Sequence, residues 1–109
     1  MAYDETLADI QRQDLEGLEG VSEKKMFGGL CFLLNGNMLC GVHKGGAMYR
    51  VGKDNEAEAL TVEGAEPMAF TGRKMGGIID VSDDAVEDPE RRARLRALAL
   101  EFVGSLPAK

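Results

Sequence analysis

The chain has 109 residues, of which 44% are apolar and 29% are charged, and its formal net charge at pH 7 is −6. This length is typical of one globular domain, which we place at residues 1–109. An acidic chain repels nucleic-acid phosphates at long range, so direct nucleic-acid binding is not expected. The sequence has neither an apolar run that could span a membrane nor an apolar N-terminal segment, so the expected location is the cytoplasm.

The first predicted element is a helix. Tyr3, Leu7 and Ile10 form a loose apolar stripe at helical spacing, and acidic residues lie near the start, where the helix dipole favours them. Gly17 and Gly20 are expected to end this helix.

Extended structure follows the first helix. Asn35-Gly36 is the strongest short signal for a β-hairpin, and Gly45-Gly46 indicates a second turn. Between and beside these turns the sequence predicts three strands, at residues 24–34, 37–43 and 47–51. The two glycines at 28 and 29 are expected to permit a bulge or a close backbone contact within the first of them.

The second half of the sequence predicts two helices and two strands. A short helix capped by Asp54 or Asn55 precedes strands near 68–71 and 77–81, which the loop 72–76 connects. Asp88-Pro89 is expected to open the final helix as its N-cap and first-turn proline. The element order α-β-β-β-α-β-β-α predicts an α+β fold with two layers, in which helices pack on a five-stranded antiparallel sheet.

The two hairpin turns also predict which side chains share a face of the sheet, because side chains alternate along a strand. The face assigned to the helices carries Cys31, Leu33, Met38, Cys40, Val42, Tyr49 and Val51. The other face carries Leu30, Phe32, Leu34, Leu39, Gly41, His43, Met48 and Arg50. A slip of one residue in register would exchange the two faces.

The second face is too apolar for a sheet face that meets water, which is normally polar. We therefore expect something to cover part of it: a protein partner, a second copy of the chain, or a helix of the chain itself. The expected partner is a protein, or the chain itself as a homodimer, and no membrane is expected to take part.

Cys31 and Cys40 are predicted to lie opposite each other on neighbouring strands, which permits either a redox switch or two small buried side chains. The second interpretation is favoured. Cys40 and His43 fall on opposite faces, which argues against a metal site and against a Cys–His nucleophile pair. No other nucleophile with a base is evident, so we expect no catalytic residues, no metal and no cofactor.

Four arginines in the final helix, Arg91, Arg92, Arg94 and Arg96, are compatible with a nucleic-acid site. Acidic residues just upstream can pair with them at helical spacing, so a solvated helix face is the favoured interpretation.

Several segments resemble a known family when taken in order. They are KMFGG at 25–29, MYRVG at 48–52, PMAFTGR at 67–73, MGG at 75–77 and SLP at 105–107. Together they resemble the N-terminal domain of the TfoX/Sxy family of competence regulators. The resemblance implies helices on an antiparallel sheet, as in secretion chaperones, and it supplies no catalytic residue.

Regulatory members of that family activate competence genes together with the cyclic-AMP receptor protein and carry a second, C-terminal domain. This sequence ends at Lys109 without one, so the resemblance implies a non-catalytic regulatory or protein-interaction module rather than a complete coactivator.

The candidate interaction surface consists of side chains from the second sheet face and from the loop 72–76. These residues are Phe32, Leu39, His43, Met48, Arg50, Arg73 and Lys74. The alternative hypothesis is a small-ligand or anion site, which requires basic side chains to converge on one pocket: Lys25, His43, Arg50, Arg73 and Lys74.

Overall fold

The computed structural model describes residues 4–26, 29–70 and 73–108. Its helices are α1 (Glu5–Asp14), α2 (Glu56–Ala59, after the 3-10 turn Lys53–Asn55), α3 (Asp83–Glu87) and α4 (Pro89–Gly104). Its strands are β1 (Val21–Met26), β2 (Gly29–Leu34), β3 (Asn37–His43), β4 (Gly46–Arg50), β5 (Ala65–Phe70) and β6 (Arg73–Val81).

The described strands form one antiparallel sheet in the order β1-β2-β3-β4-β6-β5. The α+β class and the antiparallel sheet are confirmed, but the sheet has six strands and the prediction of five was wrong. The single strand expected at 24–34 is in fact two strands, β1 and β2. They pair with each other from Met26 and Gly29 to Val21 and Leu34. Gly29 approaches β3 closely, because a Cβ there would overlap the carbonyl oxygen of Val42.

The first hairpin turn is confirmed. Asn35 and Gly36 both have positive φ, 52° and 85°, which is the backbone of the turn that matches the twist of paired strands. The second turn lies one residue earlier than expected, at Lys44-Gly45, since His43 pairs with Gly46. That change moves the β3–β4 register by two residues, so it leaves the faces of the paired residues 40–43 and 46–49 as predicted.

The register between β2 and β3 differs from the prediction because β3 contains a β-bulge. Leu33 pairs with Met38 and Phe32 pairs with Cys40, which leaves Leu39 as an extra residue between the two pairs. From the bulge onward β2 is displaced by one residue relative to β3. The predicted pairing of Cys31 with Cys40 is therefore wrong.

Strand β6 begins earlier than predicted. Residues 73–76, expected to belong to a connecting loop, are already in β6, and that strand pairs with β5 on one side and β4 on the other. The long central strand thus joins the β5 edge to the rest of the sheet.

The helices cover one face of the sheet, where α1, α3 and α4 contact β3 or β4. Asp88 caps α4 by accepting hydrogen bonds from the backbone N–H groups of Glu90 and Arg91, and Pro89 follows it, as the sequence predicts. Helix α1 ends at Asp14, before the two glycines expected to end it, and α3 was not predicted.

An ion-pair cluster joins the helices to each other. Asp14 of α1 accepts a hydrogen bond from Arg92 at 2.6 Å and lies 2.9 Å from Arg96, both in α4. Arg92 also donates to the carbonyl oxygen of Val86 in α3. Among the ion pairs that the arginines of α4 form with described residues, Arg91–Asp88 alone follows the predicted helical spacing, whereas Arg92 and Arg96 join α4 to α1.

The conformation of Gly52 gives a test of the packing between sheet and helices. Gly52 has a φ of 85°, and a Cβ there would overlap the ring of Phe102 in α4, whereas Gly17 has a φ of 92° and open space around it. Both alanine substitutions strain the backbone, by about 1–2 kcal/mol. Gly52→Ala should lower the free energy of unfolding by at least about 1 kcal/mol more than Gly17→Ala, because it also overpacks the core.

Urea unfolding of the two variants measures this difference. Adding Phe102→Leu to Gly52→Ala should recover part of the loss. Equal losses at the two glycines would contradict the packing described here.

Candidate functional site

The sheet face opposite the helices is called the open face below. Cys31 and Met48 on this face are buried but lie outside the main hydrophobic core, which contains Phe32, Cys40 and Tyr49 on the helix side. Among the residues that the structure describes, the helix contacts to the sheet fall on the core side.

One cross-strand row crosses the whole open face and is called the central row below. Its register partners, from the β1 edge to the β5 edge, are Lys24, Cys31, Gly41, Met48, Asp80 and Glu66. The row is basic at one edge, apolar in the middle and acidic at the other edge.

The end residues of the central row are available for binding. Lys24 and Glu66 are both exposed, and neither forms an ion pair with a described residue. In the middle of the row, Cys31 is 0% exposed and Met48 is 6% exposed. The sequence alone does not show this charge pattern, because Glu66 lies on β5, whose register the hairpin turns do not set.

A neighbouring part of the open face adds three apolar side chains that are only partly buried. Leu33 pairs with Met38 and lies two residues from Cys31, and Ile78 lies two residues before Asp80, so these three side chains share the open face. A solvated sheet face normally carries polar side chains at such positions. The open face therefore combines an apolar centre with charged edges.

His43 lies on the open face beside the acidic edge. Its Nδ1 accepts a hydrogen bond from the backbone N–H of Gly45 at 3.0 Å, and its Nε2 lies 2.8 Å from Asp80 Oδ1. A nitrogen that accepts carries no proton, so this network assigns the proton to Nε2, which donates it to Asp80. The pair fixes the β3–β4 turn against β6.

Arg50 lines a cleft of about 550 Å³ at the end of β4. Its guanidinium carbon lies 5.5 Å from the centre of the Phe102 ring, a cation–π contact. Lys53 lines the same cleft, as do the acidic residues Asp54 and Glu101, so both signs of charge meet there.

A second cleft, of about 430 Å³, lies between α1 and β1 on the helix side. Arg12 makes two hydrogen bonds to Glu23, at 2.8 and 3.0 Å, and these lower the pKa of the Glu23 carboxyl and raise that of Arg12. Leu18 in this cleft is 42% exposed. Exposed ion pairs of this kind contribute little to stability.

The structure separates the predicted interaction residues from one another. His43 and Met48 lie on the open face, as expected, whereas the guanidinium of Arg50 lies against the ring of Phe102 in α4. Phe32 and Leu39, each 1% exposed, belong to the core under the helices, so the prediction that they form a surface was wrong. The cause is the bulge at Leu39, which exchanges the faces of β2.

Arg73 and Lys74 are the first residues of β6, and their side chains lie outside the described part of the structure. The other bases of the alternative hypothesis do not converge. Lys25 shares its cross-strand row with core residues of the helix face, and His43 and Arg50 lie near opposite ends of the β3–β4 hairpin.

The two cysteines lie on opposite faces of the sheet as free, buried thiols. The interpretation as small buried side chains therefore agrees with the structure, and the paired-thiol switch does not. Burial raises the pKa of both thiols, most strongly that of Cys40 in the core. In the described part of the chain, no three potential metal-ligating side chains cluster closely enough to hold an ion.

Ionisation of Cys40 gives a test of its burial. An unfolded thiol ionises near pH 9, whereas the buried thiol keeps its proton, so alkaline pH favours the unfolded state. The contribution of the Cys40 thiol to the free energy of unfolding is fully present below pH 9 and is lost as the pH rises. Cys40 alone should account for a loss of about 1.4 kcal/mol at pH 10.

Urea unfolding between pH 7 and pH 10 measures the effect. Cys40→Ala should show a shallower decline than the wild type, whatever its stability at neutral pH. An unchanged decline in the variant would contradict the burial of this thiol.

The fold defines an α+β domain whose antiparallel sheet carries helices on one face. Residues 13–103 match the family model described as TfoX N-terminal domain. The chain therefore belongs to this family, and the resemblance inferred from the sequence is confirmed.

Neither the curated proteins nor the solved structures contain a match to this chain. The likeness to secretion chaperones thus stays a prediction. In the described residues, no helix is long and apolar enough to cross a membrane.

Proposed function

We propose that the chain is a non-catalytic regulatory domain that works by binding another protein through the open face. The observation that carries this proposal is the apolar centre of a sheet face on which no described helix packs. Membership of the TfoX N-terminal domain family supports a role related to competence regulation. We place this role in the cytoplasm, as the sequence predicts.

The side chains of the open face support binding rather than catalysis. The side-chain partner of His43 is Asp80, an acid, and the turn N–H of Gly45 occupies its second nitrogen. A nucleophile activated by His43 would need one of these two positions. Partly buried apolar side chains with charged neighbours are instead the usual composition of a protein contact surface.

Charge placed in the apolar part of the open face should abolish binding. Met38→Glu puts a carboxylate next to Leu33, where a partner would have to bury it without a counter-charge. The matched control is Leu18→Glu, which makes the same kind of change on the helix side, at an exposed leucine.

The tagged wild type, Met38→Glu and Leu18→Glu are compared by affinity capture from a cell lysate with quantitative mass spectrometry. We expect Met38→Glu to capture at least about tenfold less partner protein than the wild type, and Leu18→Glu to capture the same amount as the wild type. Circular dichroism checks that both variants are folded. Equal capture by all three proteins would contradict the proposal.

A second candidate function is the binding of a small anion in the cleft of Arg50. Arg50 and Lys53 line this cleft, and neither forms an ion pair with a described residue. Inorganic phosphate should then shift the amide resonances of Gly52 and Gly77, and Arg50→Gln should remove the shifts. Resonances that do not respond to millimolar phosphate would contradict this candidate.

A further inference from the structure

We propose that the partner on the open face is a second copy of this chain, bound in a two-fold symmetric dimer with the two open faces in contact. In this dimer β1 of each copy lies over the β5–β6 edge of the other. This inference rests on the proposed function and identifies the protein that the open face binds.

The charge pattern of the central row favours a second copy of the chain as the partner. Lys24 stands at the β1 edge, and Asp80 and Glu66 stand at the opposite edge, with uncharged residues between them. A surface that is basic at one edge and acidic at the other is complementary to its own copy turned through 180°. Complementary charges of this kind select partners and fix their register.

The charge pattern also selects one orientation of the two-fold axis. An axis parallel to the strands places Lys24 of each copy over Glu66 of the other, which gives two identical ion pairs. An axis perpendicular to the strands places Lys24 over the other copy's Lys24, where like charges repel. Attraction therefore selects the axis along the strands.

Two of the edge charges have no charged partner among the described residues. Lys24 and Glu66 are exposed and form no ion pair with a described residue. Asp80 differs, because it already accepts a hydrogen bond from His43. Lys24 and Glu66 are thus the two groups that a second copy would neutralise.

The middle of the face is closely packed around a glycine. Gly41 has no side chain, and a Cβ there would lie 2.5 Å from the Leu30 carbonyl oxygen and 3.0 Å from the Met48 methyl carbon, so Met48 lies across it. A methionine adapts its shape to an opposing surface. Because Cys31 and Met48 are already buried, the apolar area that contact would remove from water belongs mainly to the partly buried Leu33, Met38 and Ile78.

A charge exchange tests the dimer. Dimerisation of the wild type, Lys24→Glu, Glu66→Lys and the double variant is measured by sedimentation equilibrium at low salt. Each single variant replaces two attractions per dimer with two repulsions, so its dissociation constant should rise at least about fivefold. The double variant restores opposite charges and should return to within about twofold of the wild type.

Two control variants make the same charge changes away from the open face. Lys25→Glu alters the neighbouring exposed residue of β1, whose side chain belongs to the helix face, and Glu58→Lys alters an exposed residue of α2. Both should leave the dissociation constant unchanged. Raising the salt concentration should weaken the wild-type dimer, because salt screens exposed charge pairs.

Three results would overturn the inference: a wild type that stays monomeric at millimolar concentration, a double variant that fails to recover, or a different protein captured from the lysate through the open face. A monomeric wild type, or a different captured protein, leaves the proposed function intact if Met38→Glu still reduces the amount of protein captured. If no open-face variant changes the amount of captured protein, both the dimer and the proposed function are wrong.

Discussion

The extra residue at Leu39 determines which side chains each face of the sheet presents. Because the bulge displaces β2 by one residue relative to β3, Phe32 joins Cys40 in the core and Cys31 turns to the open face. Without the bulge, the larger aromatic side chain would lie outside and the thiol inside. The composition of the open face, with a thiol rather than an aromatic ring on β2 at its centre, follows from this single irregularity.

The two layers are held together by different forces. Between helices and sheet the contact is apolar and closely packed, down to the ring of Phe102 against Gly52. Between the helices, the carboxylate of Asp14 joins α1 to α4 through two arginines. The stability of the domain thus depends on the helix side, which leaves the open face free to carry charges and apolar residues suited to binding.

Local signals in the sequence predicted much of this fold, and non-local pairing explains what they missed. Asn35-Gly36 and Asp88-Pro89 specify their own backbone, so the hairpin turn and the start of α4 were correct. The bulge at Leu39 has no local signal, since a leucine in a strand is ordinary, and it misplaced Phe32. Glu66 could not be assigned to the central row, because only the β5–β6 register places it beside Asp80.

The central claim is that the domain binds a second copy of itself through the open face. The most direct measurement is a series of amide nitrogen–proton NMR spectra of the wild type recorded from micromolar to millimolar concentration. Pairing of two copies through the open face requires concentration-dependent shifts at Lys24, Met48 and Glu66, and none at Ala99, which is buried in α4. Shifts confined to the helix layer, or spectra that never change, would contradict it.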